Sequence, residues 1–479
     1  MAESSLKTRT LSGMIWSFVQ RFGTMAISFV SNIVLARLLT PDDYGTIGML
    51  MIFIAVANTF VDGGFGSALI QKKEPTKEDY STIFWWNMFL SLVLYGVLYV
   101  CAPAVARFYD LPLLSQVLRV QGLVLILNAL SIIQQNQLRK QLKFKRLASV
   151  TVVSAVLSAG IAIVLAYMGW GVWALVAQQL MLSGFNAIQF WVLNKWMPLL
   201  TFSKDSFKQL FGFGGFMLLS SLINTIFNNI NGLIIGRFFS ASTMGYFSQA
   251  KKIEDATAMS VTSVVEQVTY PILSEHQNDK KKMRNILKRF NTSTFFVVTP
   301  MMLLICLFAE PIIVFLFTEK WLPAAPYLKI LALHGIPMGL QGVNYNAIAA
   351  IGKSKTIFAT TIVKRIITIS LMLLGVYIAD VEGLLWGMVI SSSLIILYNM
   401  ILVSRYLDYS VMTQVKELFG IAVVSASAFL IVMGLQNWGT INNLILVLLF
   451  IVAYASISYI LKIEAFGNIV SLVANKIRK

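Results

Sequence analysis

Five basic side chains lie deep inside long apolar stretches of this sequence: Arg21, Lys251, Lys252, Lys364 and Arg365. Four acids accompany them, Asp62, Glu254, Asp255 and Glu266. A charge at the centre of a membrane helix costs roughly 2.5–3.5 kcal/mol on insertion scales, so each must be paired, moved to an interface or kept for a function. Residues 251–255 read KKIED, where Lys251 can pair with Glu254 or Asp255, and Lys252 with Asp255, at three- and four-residue spacing along one helix. Asp62 and Glu266 fall near stretch ends, from which they can snorkel to water. Arg21 and the Lys364–Arg365 pair have no acid within one helical turn. They are the better candidates for meeting an anion, and Arg holds a phosphate bidentately.

Uncharged polar residues extend the pattern. Ser17, Arg21, Thr24, Ser28 and Ser31 recur at helical spacing in one stretch, and Ser221, Asn224, Asn228 and Asn231 in another. Two further stretches carry Asn128, Ser131, Gln134 and Asn136, and Gln341, Asn344, Tyr345 and Asn346. Such side chains join membrane helices to one another by hydrogen bonds, or they line a hydrated cavity whose donors and acceptors match sugar hydroxyls. Amides and hydroxyls together with a few cations fit the head group of a phospho-sugar lipid. The expected ligand-facing set is Arg21, Thr24, Ser28, Asn224, Asn228, Lys251, Lys252, Gln341, Asn344, Lys364 and Arg365, with Asp62, Glu254 and Asp255 as candidates for ion coupling. No catalytic residues, no metal ligands and no cofactor are expected. A membrane glycosyltransferase or polymerase would gather carboxylates or bases in sizeable exposed loops, and the loops here are short. Nucleophile elbows and phosphate-cradling glycine loops do not occur.

The elements that must position these residues are long helices. A hydrocarbon core about 30 Å thick takes about 20 helical residues, and only helices or closed barrels satisfy the backbone there. Fourteen spans are expected, at residues 13–38, 44–69, 81–105, 116–138, 147–168, 171–193, 209–237, 245–270, 291–316, 327–352, 356–379, 383–403, 414–436 and 441–461. The chain thus reads as an all-α polytopic membrane protein. At 57% hydrophobic and 12% charged it has no room for a sizeable soluble domain. Its net charge of +17 is not a nucleic-acid footprint, because the cations are parcelled into alternate connections rather than gathered on one face. Most of the 38 Lys and Arg fall in the tails and the even-to-odd connections, against six on the other side: Arg37, Arg107, Arg119, Arg237, Lys320 and Lys329. The positive-inside rule then places both termini in the cytoplasm. The N-terminal segment opens into the first span without a small-residue cleavage site and is expected to be retained. Cys101 and Cys306 lie in apolar segments and define neither a disulfide framework nor a metal site.

The first six spans recur in the next six. ARLLTPDDYG from Ala36 matches GRFFSASTMG from Gly236, with Arg37 over Arg237 and Gly45 over Gly245. Pro103 falls over Pro311, Leu118-Arg119 over Leu328-Lys329, Lys143 and Lys145 over Lys353 and Lys355, and Gly171 over Gly383. An even number of spans separates the copies, so both have the same orientation, an arrangement transporters use for alternating access around a central cavity. The expected organisation is two pseudo-symmetric six-helix bundles, residues 1–200 and 201–412, and an extra helix pair with a cytoplasmic tail, residues 413–479. No charged residue occurs from Leu418 to Leu461, so this pair either shelters a lipid tail or simply faces bilayer. Pro300, Pro337 and Gly63-Gly64 are the expected bends.

The chain resembles the polysaccharide transport family of the multidrug/oligosaccharidyl-lipid/polysaccharide (MOP) exporters, the Wzx-type flippases, especially their colanic-acid and teichuronic-acid branch. The resemblance runs over essentially the whole length. It rests on ARLLTPDDYG from Ala36, DGGFGSALIQ from Asp62, APAVARFYDLP from Ala102, GVWALVAQ from Gly171, IIGRFFSASTMGYFSQA from Ile234 and AEPIIVFLFTEKWLPAAPYLKILA from Ala309, in that order. Two positions depart from the family pattern: Asn231-Gly232 stands where relatives often carry Asp, and Tyr246 to Lys252 reads YFSQAKK where they often read YYSRAY. The resemblance implies export of undecaprenyl-diphosphate-linked oligosaccharide repeat units across a bacterial cytoplasmic membrane for surface polysaccharide synthesis. It further implies work alongside glycosyltransferases and a polysaccharide polymerase, in contact with membrane lipid, by a monomer. Two other cargoes stay open, organic cations as in a multidrug antiporter and a peptidoglycan precursor.

Overall fold

The computed structural model describes residues 2–437, 442–468 and 471. The tail cations Lys476, Arg478 and Lys479, expected on the cytoplasmic side, lie outside the described residues. The helices in chain order are α1 (Ala2–Leu38), α2 (Pro41–Asp62), α3 (Phe65–Gln71), α4 (Lys77–Phe108), α5 (Leu113–Gln121), α6 (Val124–Lys140), α7 (Phe144–Tyr167), α8 (Val172–Asn194) and α9 (Lys204–Phe238). They continue with α10 (Ala241–Glu275), α11 (Lys280–Leu307), α12 (Ala309–Phe317), a 3-10 turn (Glu319–Ala324), α13 (Ala325–Ala350), α14 (Ser354–Leu407), α15 (Val411–Asn437) and α16 (Asn443–Ile460). No strand occurs among the described residues.

Ten described stretches are long and apolar enough to cross a bilayer by length and composition. One of them, Ala359–Leu407, runs for 49 residues and carries two expected spans, because the backbone of Ala379 and Asp380 leaves the helical region in mid-course. The expected sixth, eighth and tenth spans are the helices α8, α10 and α13, too polar to count by composition. Gln178, Gln179 and Gln189 dilute α8, the KKIED run dilutes α10, and His334, Gln341 and Asn344 dilute α13. At 26 residues α13 still reaches about 39 Å, enough to span.

The chain forms two compact units, Met1–Gly245 and Tyr246–Lys479. In the first, α9 packs along α2, α7 against both α1 and α8, and α6 against α8 and α4. In the second, α13 sits between α11 and α14, and the α15–α16 pair docks on α11. The docking is specific: the Tyr454 hydroxyl donates to the Phe296 carbonyl at 2.8 Å, and the Phe296 and Tyr454 rings lie 4.9 Å apart. The outward residues of α16, among them Leu444, Leu448, Val452 and Tyr459, remain exposed and apolar, as a lipid-facing surface requires.

Local chemistry sets the helix starts. Thr40 caps α2, its hydroxyl accepting from the Asp43 amide at 3.3 Å while Asp43 accepts from the Thr40 amide at 2.9 Å, and Pro41 occupies the first turn where no amide proton is needed. Two hundred residues on, the Ser240 hydroxyl accepts from the Thr243 amide at 3.2 Å. Within the first unit these two capped turns cross. A Cβ on Gly45 would overlap the Ala241 carbonyl, and one on Gly245 the Pro41 carbonyl, so both repeat-related glycines are needed for the close approach. Gly45→Ala is therefore expected to lower the melting temperature of the detergent-purified protein, at a cost of about 1–3 kcal/mol for overpacking. Gly160→Ala on α7, where the added methyl meets nothing, is the matched control, and equal melting of the two variants would contradict the crossing. At Gly63-Gly64 the helix breaks, both residues adopting left-handed φ of 59° and 68°. Pro300 and Pro337, by contrast, lie inside helices that continue through them.

Candidate functional site

In the first unit, α1 presents Arg21 and Ser28 on the exposed surface and half-buries Thr24. The Thr24 hydroxyl donates back to the Gln20 carbonyl at 2.7 Å, which satisfies it locally and leaves its lone pairs for another donor. Ser31, one turn beyond Ser28, is buried and accepts from Gln178 on α8 at 3.2 Å, so the polar stripe of α1 turns from surface into packing along its length. Arg21 joins no ion pair among the described residues. Asn224 and Asn228 are exposed on α9, whose next face is tied to α2 by the Thr59–Thr225 hydroxyl pair at 2.9 Å. Asn128, on α6, donates to Asn58 on α2 at 2.9 Å. Asp62 sits exposed at the last turn of α2, ahead of the glycine break.

The second unit gathers the charges. Lys251 contacts Glu254 at 2.7 Å and Asp255 at 3.0 Å, the three- and four-residue pairing expected from the KKIED run. Glu254 is fully buried, and its second carboxylate oxygen lies 2.6 Å from Nδ1 of His334 on α13. Two helices therefore meet through a Lys–Glu–His chain with Asp255 beside it. Lys252 lies a step of about 100° round the helix from Lys251, on the exposed side of α10. His334 was legible in the sequence only as a lone histidine in the tenth span; nothing in its spacing pairs it with a residue 80 positions earlier. Such a cluster can exchange partners: an ammonium and an imidazole share one carboxylate, each on its own oxygen.

Other expected residues are distributed differently. Gln341 donates to the Ser392 carbonyl of α14 at 3.3 Å. Asn344 is fully buried and accepts from Asn291 on α11 at 3.1 Å, which places it in the packing between α11 and α13. Lys364 and Arg365 are half-buried on α14, and Lys364 joins no ion pair among the described residues. Glu266, expected to snorkel, lies over Gly342 of α13, where a Cβ would overlap its carboxylate, and its carbonyl accepts from Asn346 at 2.9 Å. No group of His, Cys, Asp and Glu able to hold a metal ion occurs among the described residues.

The family model described as Polysaccharide biosynthesis protein matches residues 34–326, more than half of the chain. The protein belongs to this polysaccharide biosynthesis family. Among its relatives, Teichuronic acid biosynthesis protein TuaB of Bacillus subtilis (strain 168) is 28% identical over 356 residues, 74% of each chain. Lipopolysaccharide biosynthesis protein WzxC of Escherichia coli (strain K12) is 22% identical over 386 residues, 80% of this chain and 78% of the relative. Succinoglycan biosynthesis transport protein ExoT of Rhizobium meliloti (strain 1021) is 24% identical over 385 residues, 80% of this chain and 78% of the relative. A solved structure of the lipid II flippase MurJ in an inward closed conformation shares the fold at a TM-score of 0.75, with 16% identity over 94% of this chain and 98% of that one. An inward-facing MATE family multidrug transporter of the MOP superfamily shares it at 0.59, with 17% identity over 82% and 98%. This polysaccharide biosynthesis family member is thus a multi-pass, all-helical membrane protein with a transporter fold, and the match covers α2 through α12, including the whole KKIED stretch.

Proposed function

We propose that the protein is a flippase for undecaprenyl-diphosphate-linked oligosaccharide repeat units, moving them from the inner to the outer leaflet of a bacterial cytoplasmic membrane by alternating access, with both termini cytoplasmic. The observation that carries the reading is a pair of cations, Arg21 and Lys364, kept in membrane helices of a polysaccharide biosynthesis family member without an ion pair among the described residues. An unpaired cation at membrane depth needs an anion, and a diphosphate supplies one. Hydroxyls and amides of the kind that bind sugars stand in the first unit at Thr24, Ser28, Asn224 and Asn228 and, separately, in the second at Gln341, while the polyprenyl chain stays in lipid. Few cations suit a carrier, because a tight phosphate cage would not release its cargo.

The acids supply the coupling. A cation taken up by Glu254 or Asp255 frees Lys251 from its partners and makes it available to the diphosphate; loss of that cation draws Lys251 back. Asp62 is a second acid suited to this role. No covalent step is involved. Glycosyltransferases build the cargo before the protein acts, and a polymerase consumes it afterwards.

Deleting the gene in its host is expected to abolish surface glycan and to accumulate lipid-linked repeat units in the inner leaflet. Mass spectrometry of lipids copurifying with the protein is expected to find a polyprenyl diphosphate carrying several sugars. Normal surface glycan in the deletion strain, with organic cations exported instead, would favour the multidrug reading; a pentapeptide-bearing disaccharide lipid would favour the peptidoglycan precursor.

A further inference from the structure

Buried amides between neighbouring helices recur in the two halves of the chain, and a direct bond joins them in one half only. In the second unit, Asn291 of α11 donates from Nδ2 to Oδ1 of Asn344 on α13 at 3.1 Å, with 4% and 0% of the two residues exposed. The repeat places Asn87 of α4 204 residues before Asn291, and Gln134 of α6 210 residues before Asn344, within the drift of the offset seen at flanking positions.

Packing supports this register. One turn before each asparagine, Ile83 and Leu287 are fully buried, and just before each α6 or α13 amide, Ile133 and Val343 are buried with them. Ile83 and Ile133 belong to one apolar cluster with Phe65 and Phe84, and Leu287 and Val343 to another with Met283 and Ile348. A second contact repeats as well. The Asn136 amide lies over Gly66, and the Asn346 amide donates to the Glu266 carbonyl at 2.9 Å, 210 and 200 residues further on. Asn87 and Gln134 therefore hold the positions of the Asn291–Asn344 pair.

Their state differs in degree: Asn291 Oδ1 and Asn344 Nδ2 also lack a partner, but one bond joins that pair. Both Asn87 and Gln134 are 0% exposed, and all four amide atoms, Oδ1 and Nδ2 of Asn87 and Oε1 and Nε2 of Gln134, lack a hydrogen-bond partner. A buried polar atom left unmade costs about 1–3 kcal/mol, too much to leave four such atoms unserved at one joint. A guest must accept from two N–H2 groups and donate to two carbonyl oxygens. A bare cation serves only the oxygens and is repelled by the amide protons; an anion serves only the nitrogens. Water does both, and buried waters make about three such bonds.

We propose that the first unit binds an internal water molecule between α4 and α6, held by the side-chain amides of Asn87 and Gln134. The equivalent place in the second unit is closed by the direct Asn291–Asn344 bond. The first joint is thus a hydrated one, and its helices are linked through an exchangeable guest.

The test is a mutant cycle on the full-length protein in lipid nanodiscs, with Asn87→Leu, Gln134→Met and the double variant, read by thermal unfolding. If water bridges the amides, each single change strands the other amide and lowers the melting temperature, and the double variant recovers most of the loss. Additive rises in melting temperature would mean that the amides bind nothing and would overturn the proposal. A wild-type cryo-EM map at a resolution that shows ordered water decides independently of variant folding. Density within hydrogen-bond distance of both amides is expected; a direct Asn87–Gln134 bond with no third atom overturns it. Stabilisation of wild type by sodium or potassium over choline, lost in both single variants, would assign the site to a cation instead and equally overturn it.

Discussion

Replacing Arg21 with Ala is expected to abolish export of the lipid-linked glycan while leaving the amount of protein in the membrane unchanged. The side chain is exposed on α1 and joins no ion pair among the described residues, so its truncation removes no internal link. The loss falls on the ligand instead. A hydrogen bond to a charged group contributes about 1.5–3 kcal/mol, which is roughly 10- to 150-fold in affinity for each bond lost. A guanidinium makes two such bonds to a diphosphate, so the combined loss takes transport to background. Arg21→Lys keeps the charge without the planar fork and is expected to retain a small fraction of export. Surface glycan on intact cells, with membrane protein measured alongside, reads the outcome, and the same measurement on Lys364→Ala is expected to show the same loss. Normal glycan in both Ala variants would remove the anionic head group from the reading.

Glu254 carries the second large effect. Its carboxylate stands between Lys251 and His334 with no exposed surface, so Glu254→Ala leaves the half-buried Lys251 ammonium with Asp255 alone and His334 without its acid. Breaking a buried ion pair from one side costs about 3–5 kcal/mol, comparable with the whole stability of many proteins, and little folded protein is expected. Removing both charges as Lys251→Met with Glu254→Met replaces the pair by apolar groups, which is often neutral, and although it leaves Asp255 and His334 without these partners it is expected to restore much of the folded amount. Export should stay absent in the double variant, because the exchange between carboxylate and diphosphate has been deleted. Fluorescence-detected size-exclusion chromatography reads folding and surface glycan reads transport. A double variant that folds and exports would make the cluster purely structural.

Much of the architecture was visible in composition and period. Apolar runs of span length, cations on alternate connections and the recurrence of ARLLTPDDYG as GRFFSASTMG are local or strictly periodic features, and the capped turns at Thr40 and Ser240 follow from side chains three residues from the groups they serve. Of the three spans that composition alone passes over, α8, α10 and α13, the last two carry the Lys251–Glu254–His334 chain, whereas Arg21, Asn224 and Lys364 lie on helices apolar enough to count. Polarity in a span weakens the hydropathy signal at the places where function puts polar groups.

The amino-acid sequence by itself determined that the chain is a bundle of membrane helices, that Lys251 has Glu254 and Asp255 within reach, and that Arg21 and Lys364 have no nearby acid, because spacing along a helix is set by 3.6 residues per turn. Only the tertiary structure decided that His334 completes the Glu254 pair, that Asn344 is tied to Asn291 rather than open, that Glu266 rests over Gly342, and that Asn87 and Gln134 are sealed with their amides unserved. Each of these depends on which face of one helix meets which face of another, and helix packing is chosen by the fit of whole surfaces, which no spacing within a single helix encodes.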